Sequence, residues 1–431
     1  MFGQGYFHLK ENKTQTFAFE LINNSVVIPV TINGVALSFL LDTGVKETIL
    51  FGNHQDSLSL ENVQKIRFTG LGIEDGIEGL LALANRVDVG NCLIDTTHNL
   101  YVILSDQLDI SSNLGFEING IMGSQFFQDH IIEMDYVKKK ITIHPRSYTL
   151  SERLEKRYEL IPISMERDRP YIQTSLLLNH RWINAKLLLD MGNTEALMLF
   201  PFTFPNFEVA SPSVDDYIGK GFNGEIFGKR NRIAAFKMGK YTLKHPIVAY
   251  PDSSAVQFAK LAEDRKGSIG NQTLQRFHLL IDYPKNRILI RKNKYFGKPF
   301  YINISGIDVK HDGLMWSKKI INMITQREKR NANQIGTEIT LNTDSFNYQF
   351  ILRPNYVVAG IRKNSPAEKA GVKVGDAILK INGKSVADMT LTTLNTRLQK
   401  ATNHDLKLLL KRDGKEIALR FRVVDPIPFI E

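Results

Sequence analysis

The sequence predicts a mainly β protein: two tandem lobes of the same kind, followed by a separate third module. Three observations carry this expectation. Much of the first 290 residues repeats at a nearly constant offset. The apolar residues there fall in short runs of strand length, broken by Gly, Asn and Asp. Near residue 293 the repeat stops, and the charge balance changes with it.

The chain has 431 residues, 43% hydrophobic and 23% charged, enough to bury a sizeable core. A prior of about 150 residues per domain suggests two to four domains. No apolar run reaches the roughly 18 residues of a membrane span. A single cysteine, Cys92, excludes an intrachain disulfide framework and a Cys-based zinc site, and reads as a small buried apolar residue. The net charge of +10 is unevenly placed: residues 1–290 hold 30 Lys/Arg against 32 Asp/Glu, residues 291–431 hold 25 against 13. A basic surplus confined to the last third argues against a chain built around phosphate contacts, so no nucleic-acid partner is expected. Residues 1–5 show neither a basic start nor an apolar core of a secretory signal. Two compartments stay open: the cytoplasm, or the cell envelope or periplasm (or secretion) if a signal has been removed.

The repeat begins with a hairpin. Residues 26–32 and 35–41 flank Asn33-Gly34, and 171–178 and 182–189 flank Asn179-His180. Asn33-Gly34 tolerates the left-handed backbone of a tight two-residue turn. Each hairpin ends in Asp-x-Gly, at Asp42-Thr43-Gly44 and at Asp190-Met191-Gly192, 148 residues apart. Gly70 and Gly72 match Gly219 and Gly221 at an offset of 149; Gly123 matches Gly270, and Asp135 matches Asp282, at 147. Asp135 and Asp282 read as turn formers before a strand. Two similar lobes can pair about a pseudo-two-fold axis, which brings equivalent positions face to face. Asp42 and Asp190 are the equivalent acids at strand ends. Two carboxylates at close range hold one proton between them. The ionised member can activate a water, and the protonated member can donate to a substrate carbonyl.

The run 40–48, Leu-Leu-Asp-Thr-Gly-Val-Lys-Glu-Thr, resembles the active-site loop of retropepsin-type aspartic peptidases. Ile121-Met122-Gly123 is similar to their second signature, which packs beneath that loop. The resemblance is strong over residues 23–146 and weaker over 160–292. It implies two retropepsin-like β-barrel lobes in one chain and an acid endopeptidase with Asp42 and Asp190 as catalytic pair. Thr43, Gly44, Met191 and Gly192 would form the active-site loops, and Gly70, Gly72, Gly219 and Gly221 would sit in flaps over the substrate. The second loop departs from the pattern: Met191 stands where a hydroxyl residue is expected, and a thioether donates no hydrogen bond. That departure motivates a rival reading, a catalytically impaired peptide-binding or scaffold protein.

Other chemistries find no motif. There is no His-Glu-x-x-His, no Gly-x-Ser-x-Gly and no phosphate loop, so no metal or cofactor is expected. The expected layout is an N-terminal extension over 1–22, lobes over 23–148 and 149–292, a connector over 293–345 and a compact module over 346–425. A short amphipathic helix is expected over 314–324. In the last module Ser365-Pro366 opens a short helix, Gly371 ends it, Gly375-Asp376 turns into a strand, and Asn382-Gly383 makes a hairpin. A further helix carries Leu394 and Leu398 on one face. These elements resemble a PDZ domain of the bacterial type. That resemblance implies binding of an extended peptide beside one strand, with Phe346, Tyr348, Phe350, Leu394 and Leu398 lining the groove. The partners expected are a peptide or protein substrate and a PDZ ligand peptide, and the chain is expected to be a monomer.

Overall fold

The computed structural model describes residues 5–52, 58–68, 77–104, 111, 115–221, 224–256, 261–325, 344–399 and 404–429, with backbone alone at 68, 77, 220–221, 224, 316–325 and 344–351. The first lobe is built on a nine-stranded sheet that includes the hairpin Ser25–Ile32 and Val35–Leu41. The second is built on a ten-stranded sheet that includes the hairpin Arg169–Leu178 and Arg181–Leu189. Both turns have the backbone expected of them. Asn33 and Gly34 take φ of 47° and 90°, and Asn179 and His180 take 48° and 63°.

A six-stranded sheet joins the lobes, three strands from each. At its centre Ile131–Asp135 pairs antiparallel with Phe277–Asp282. Glu133 faces Leu280, while Ile132 faces Ile281 and Met134 faces Leu279. Under the 147-residue offset Glu133 and Leu280 are equivalent, and so are Ile132 with Leu279 and Met134 with Ile281. This register is what a two-fold axis between Glu133 and Leu280 requires. Ile132, Met134, Leu279 and Ile281 are buried on one face and join the cores of the two lobes. Glu133 lies on the other face, between His144 (3.0 Å) and His278 (2.6 Å).

The fourth sheet, in the third module, holds the strands Ile307–Thr325, Asp344–Ile361, Ala377–Ile381, Lys384–Ser385, His404–Arg412 and Lys415–Val423. The short helix Pro366–Lys369 begins where Ser365 accepts from the Glu368 amide, and the helix Leu391–Gln399 follows. The segment 314–324 is strand rather than the expected helix. It pairs with 345–354, a non-local partner that local periodicity does not reveal. The stretch read as a connector therefore contributes the strand Ile307–Thr325 to this sheet. Ile307 and Val309 are buried there, and Asp308 and Lys310 are not. Among the described residues no helix is long and apolar enough to cross a membrane.

Candidate active site

Each Asp-x-Gly loop is positioned by the same device. Phe39, Leu40 and Leu41 run parallel to Gly120, Ile121 and Met122, and the Asp42 amide donates to the Met122 carbonyl at 2.9 Å. Leu187, Leu188 and Leu189 run parallel to Gly267, Ser268 and Ile269, and the Asp190 amide donates to the Ile269 carbonyl at 3.0 Å. The glycines that follow are forced by close approach. A Cβ on Gly123 would lie 2.3 Å from the Lys46 carbonyl, and one on Gly270 would lie 2.3 Å from that of Glu195.

The two carboxylates converge. A Cβ on Gly44 would stand 2.8 Å from Asp190 Oδ1 and 3.0 Å from Asp42 Oδ1; one on Gly192 would stand 2.3 Å from Asp42 Oδ2. The Gly44 amide donates to Asp42 Oδ1 at 2.6 Å and the Gly192 amide at 3.1 Å. Both acids are half-buried and line one cleft of about 670 Å³. Burial, with the charge of Asp190 beside it, pushes the Asp42 carboxyl up to about 7, against the pull of those two amides and of Arg169. Burial raises Asp190 as well, but Arg265, the Ser268 hydroxyl, the Asn193 amide and Arg169 pull it back. At the position matching Ser268 the first lobe has Ile121, so Asp42 has no counterpart to that hydroxyl.

The loops grip each other from one side. The Thr43 hydroxyl donates to the Leu189 carbonyl at 2.5 Å and accepts from the Met191 amide at 3.0 Å. Met191 is buried and cannot return the bond. A second brace holds its loop instead. Asn271 Nδ2 donates to the Met191 carbonyl at 2.6 Å, and Tyr136 of the first lobe donates its hydroxyl to Asn271 Oδ1 at 2.8 Å. Asn271, Ser268 and Arg265 escaped the sequence reading. The signal for the first two lay in the repeat itself, where Asn271 and Ser268 replace Ser124 and Ile121 at matched positions.

Behind the first loop Thr48 Oγ1 meets His98 Nε2 at 2.7 Å, and His98 Nδ1 meets Asp95 Oδ2 at 2.7 Å. The order resembles a nucleophile triad, but the three residues are 0–1% exposed, so no substrate reaches them. They brace the strand Thr48–Phe51 that follows the loop. Among the described residues no cluster could hold a metal ion.

The expected flap of the second lobe is the hairpin Ser213–Gly221 and Gly224–Arg232. Gly219 lines the cleft, and Gly221 closes the described part of the strand. In the first lobe Val63–Phe68 pairs with Ile77–Val89, but Gly70 and Gly72 lie outside the described residues.

In the third module the groove residues are placed differently from expectation. Leu394 and Leu398 are 0% and 1% exposed, so they belong to the module's core and face no peptide. The spacing that put them on one face was right, but that face is the packing face. The backbone of Phe346, Tyr348 and Phe350 pairs with 318–323; their side chains lie outside the described residues. The edge strand against which the helix Leu391–Gln399 packs is Ile307–Thr325.

The molecule is thus a pair of β lobes that present one aspartate each to a shared cleft, with a third module beside them. Comparison with known families assigns that module: residues 357–412 match the PDZ domain family, so the chain carries a PDZ domain there. Among solved structures, the chain is similar to an aspartic proteinase from Irpex lacteus, with 14% identity over 66% of this chain and 99% of that one and a TM-score of 0.44.

Proposed function

We propose that the chain is an aspartic-type endopeptidase in which Asp42 and Asp190 activate a water against a peptide carbonyl. The observation that carries this reading is the convergence of the two carboxylates, each within contact distance of the other loop's glycine. Burial raises both carboxyls; Arg265 and Ser268 oppose it at Asp190 and favour the anion there, whereas at Asp42 the neighbouring charge adds to it and favours the proton. Asp190 then takes a proton from the water as its oxygen attacks the carbonyl carbon, and Asp42 gives its proton to the carbonyl oxygen. The tetrahedral diol collapses when Asp190 passes its proton to the leaving amine and a diol hydroxyl returns one to Asp42. The dyad is restored with no covalent intermediate. The PDZ domain binds substrate or a partner peptide.

The decisive experiment is cleavage of a denatured protein between pH 3 and 8. Asp42→Asn and Asp190→Asn should each abolish it; cleavage that persists unchanged in either variant overturns the assignment. The buried Met191 favours a second reading, a peptide-binding scaffold without turnover. Binding of peptides with no hydrolysis anywhere in that pH range would select it.

A further inference from the structure

The PDZ domain is clamped over the cleft at three places. Arg362, 5% exposed, donates to the Asn303 carbonyl at 2.8 Å and pairs with Asp216 of the second flap hairpin at 3.4 Å. The chain after the last strand returns to the second lobe, where Arg232 donates to the Ile427 carbonyl at 3.0 Å and pairs with Asp425 at 3.1 Å, and Ile427 is fully buried. Gly115 of the first lobe lies so near the helix Leu391–Gln399 that a Cβ on it would stand 2.8 Å from the Leu391 Cβ. These contacts set the helix against the cleft.

Its packing side is Leu391, Leu394 and Leu398. Thr392, Asn395, Thr396 and Gln399 follow the i, i+3, i+4, i+7 spacing of one helix stripe. All four line the same cleft as Asp42 and Asp190. Each carries both a donor and an acceptor and no charge. Of the charged groups nearby, Arg230 binds Glu195 at 2.6 Å and also Asp216, while burial and the charge of Asp216 push the Asp308 carboxyl up to about 6, against the pull of Arg230 and Arg362. A charged substrate side chain meets no free counter-charge in this stripe, while a hydroxyl or amide finds partners there.

We propose that this stripe is a substrate subsite of the cleft, selecting uncharged polar side chains (Ser, Thr, Asn, Gln) of an extended peptide at a fixed distance from the scissile bond. The proposal rests on the peptidase reading. It makes the PDZ helix part of the specificity apparatus itself.

The test is the cleavage-site profile of a denatured proteome digested by the full chain and by its Asn395→Asp and Thr396→Val variants. The expected result is enrichment of Ser, Thr, Asn and Gln at one position off the scissile bond. Asn395→Asp should shift that position towards Lys and Arg by about tenfold, and Thr396→Val towards apolar residues. Cleavage without a polar preference, or with the same profile in the variants, overturns the subsite and leaves the peptidase reading intact. If no chain cleaves, the peptidase reading fails. Fluorescence anisotropy of labelled 12-residue peptides that differ at single Gln, Leu and Lys positions then decides, using Asp42→Asn against Asp42→Asn/Asn395→Asp. A change in selectivity between these chains supports the subsite; equal selectivity or no binding overturns it.

Discussion

Thr43 donates its hydroxyl to the Leu189 carbonyl and accepts the Met191 amide, so one side chain closes two hydrogen bonds between loops 148 residues apart. Thr43→Val keeps the shape and leaves both backbone groups buried and unpaired. The cost should be about 2–4 kcal/mol of stability, read by denaturant unfolding, together with loss of hydrolysis.

The other side of that contact has a different brace. Asn271→Leu removes the donor to the Met191 carbonyl and the acceptor of the Tyr136 hydroxyl. It should lower kcat more than it raises KM, because the second loop loses its placement while the cleft walls stay. Met191→Thr supplies a hydroxyl at the position that lacks one. Combined with Asn271→Leu it should recover part of the lost rate, which steady-state kinetics of the double variant measures.

The pH profile follows from the dyad. Asp42 is held up to about 7, and catalysis needs its proton, so activity should fall as the pH rises through about 7. On the acid side the anion at Asp190 must survive. Ser268→Ala removes a hydrogen bond that favours this anion. The acid limb should therefore move up by roughly one pH unit, since a charge-assisted bond is worth about 1.4 kcal/mol or more. A limb that moves down, or stays, contradicts the roles assigned to the pair.

The lobe junction carries a second pH dependence, that of stability. Hydrogen bonds from His144 and His278 hold the Glu133 carboxyl down at about 2, below its ordinary 4.5. A carboxyl with a depressed folded value stabilises the fold fully above about 4.5, and that contribution is lost as the pH falls through about 2. Glu133→Gln should raise the pH of acid unfolding, followed by circular dichroism, and leave the transition at neutral pH less affected in its pH dependence.

Arg232 ties the chain after the PDZ domain to the second lobe through Asp425 and the Ile427 carbonyl, and it also donates to the carbonyls of Phe300 and His245. Arg232→Ala leaves Asp425 partly buried without that partner and should cost about 3 kcal/mol. Amide exchange around 424–429 should speed up, and limited proteolysis should cut there first.

The chain's own repetition made most of this architecture legible. Matched hairpins, matched Asp-x-Gly loops and matched glycines locate both carboxylates, because each lobe must solve the same local problem with the same residue types. What escaped reading depends on non-local partners. Nothing in 314–324 announces that it pairs with 345–354. Leu394 and Leu398 carry a helix's apolar stripe, but a stripe does not say whether a peptide or a core covers it. Asn271 was visible only as a departure from Ser124, and its bond to the Met191 carbonyl appears once the two loops are folded together.

The axis between Glu133 and Leu280 relates two halves that need not be identical. In an assembly of two identical chains every substitution is made twice, and each residue must serve on both sides of the axis. Once the halves share a chain, each can specialise. Here one half carries the hydroxyl that ties the loops, Thr43, and the other carries the hydroxyl and the arginine that favour an anion, Ser268 and Arg265. Met191 then leaves the hydroxyl tie between the loops to Thr43 alone, a division of labour that two identical chains could not reach.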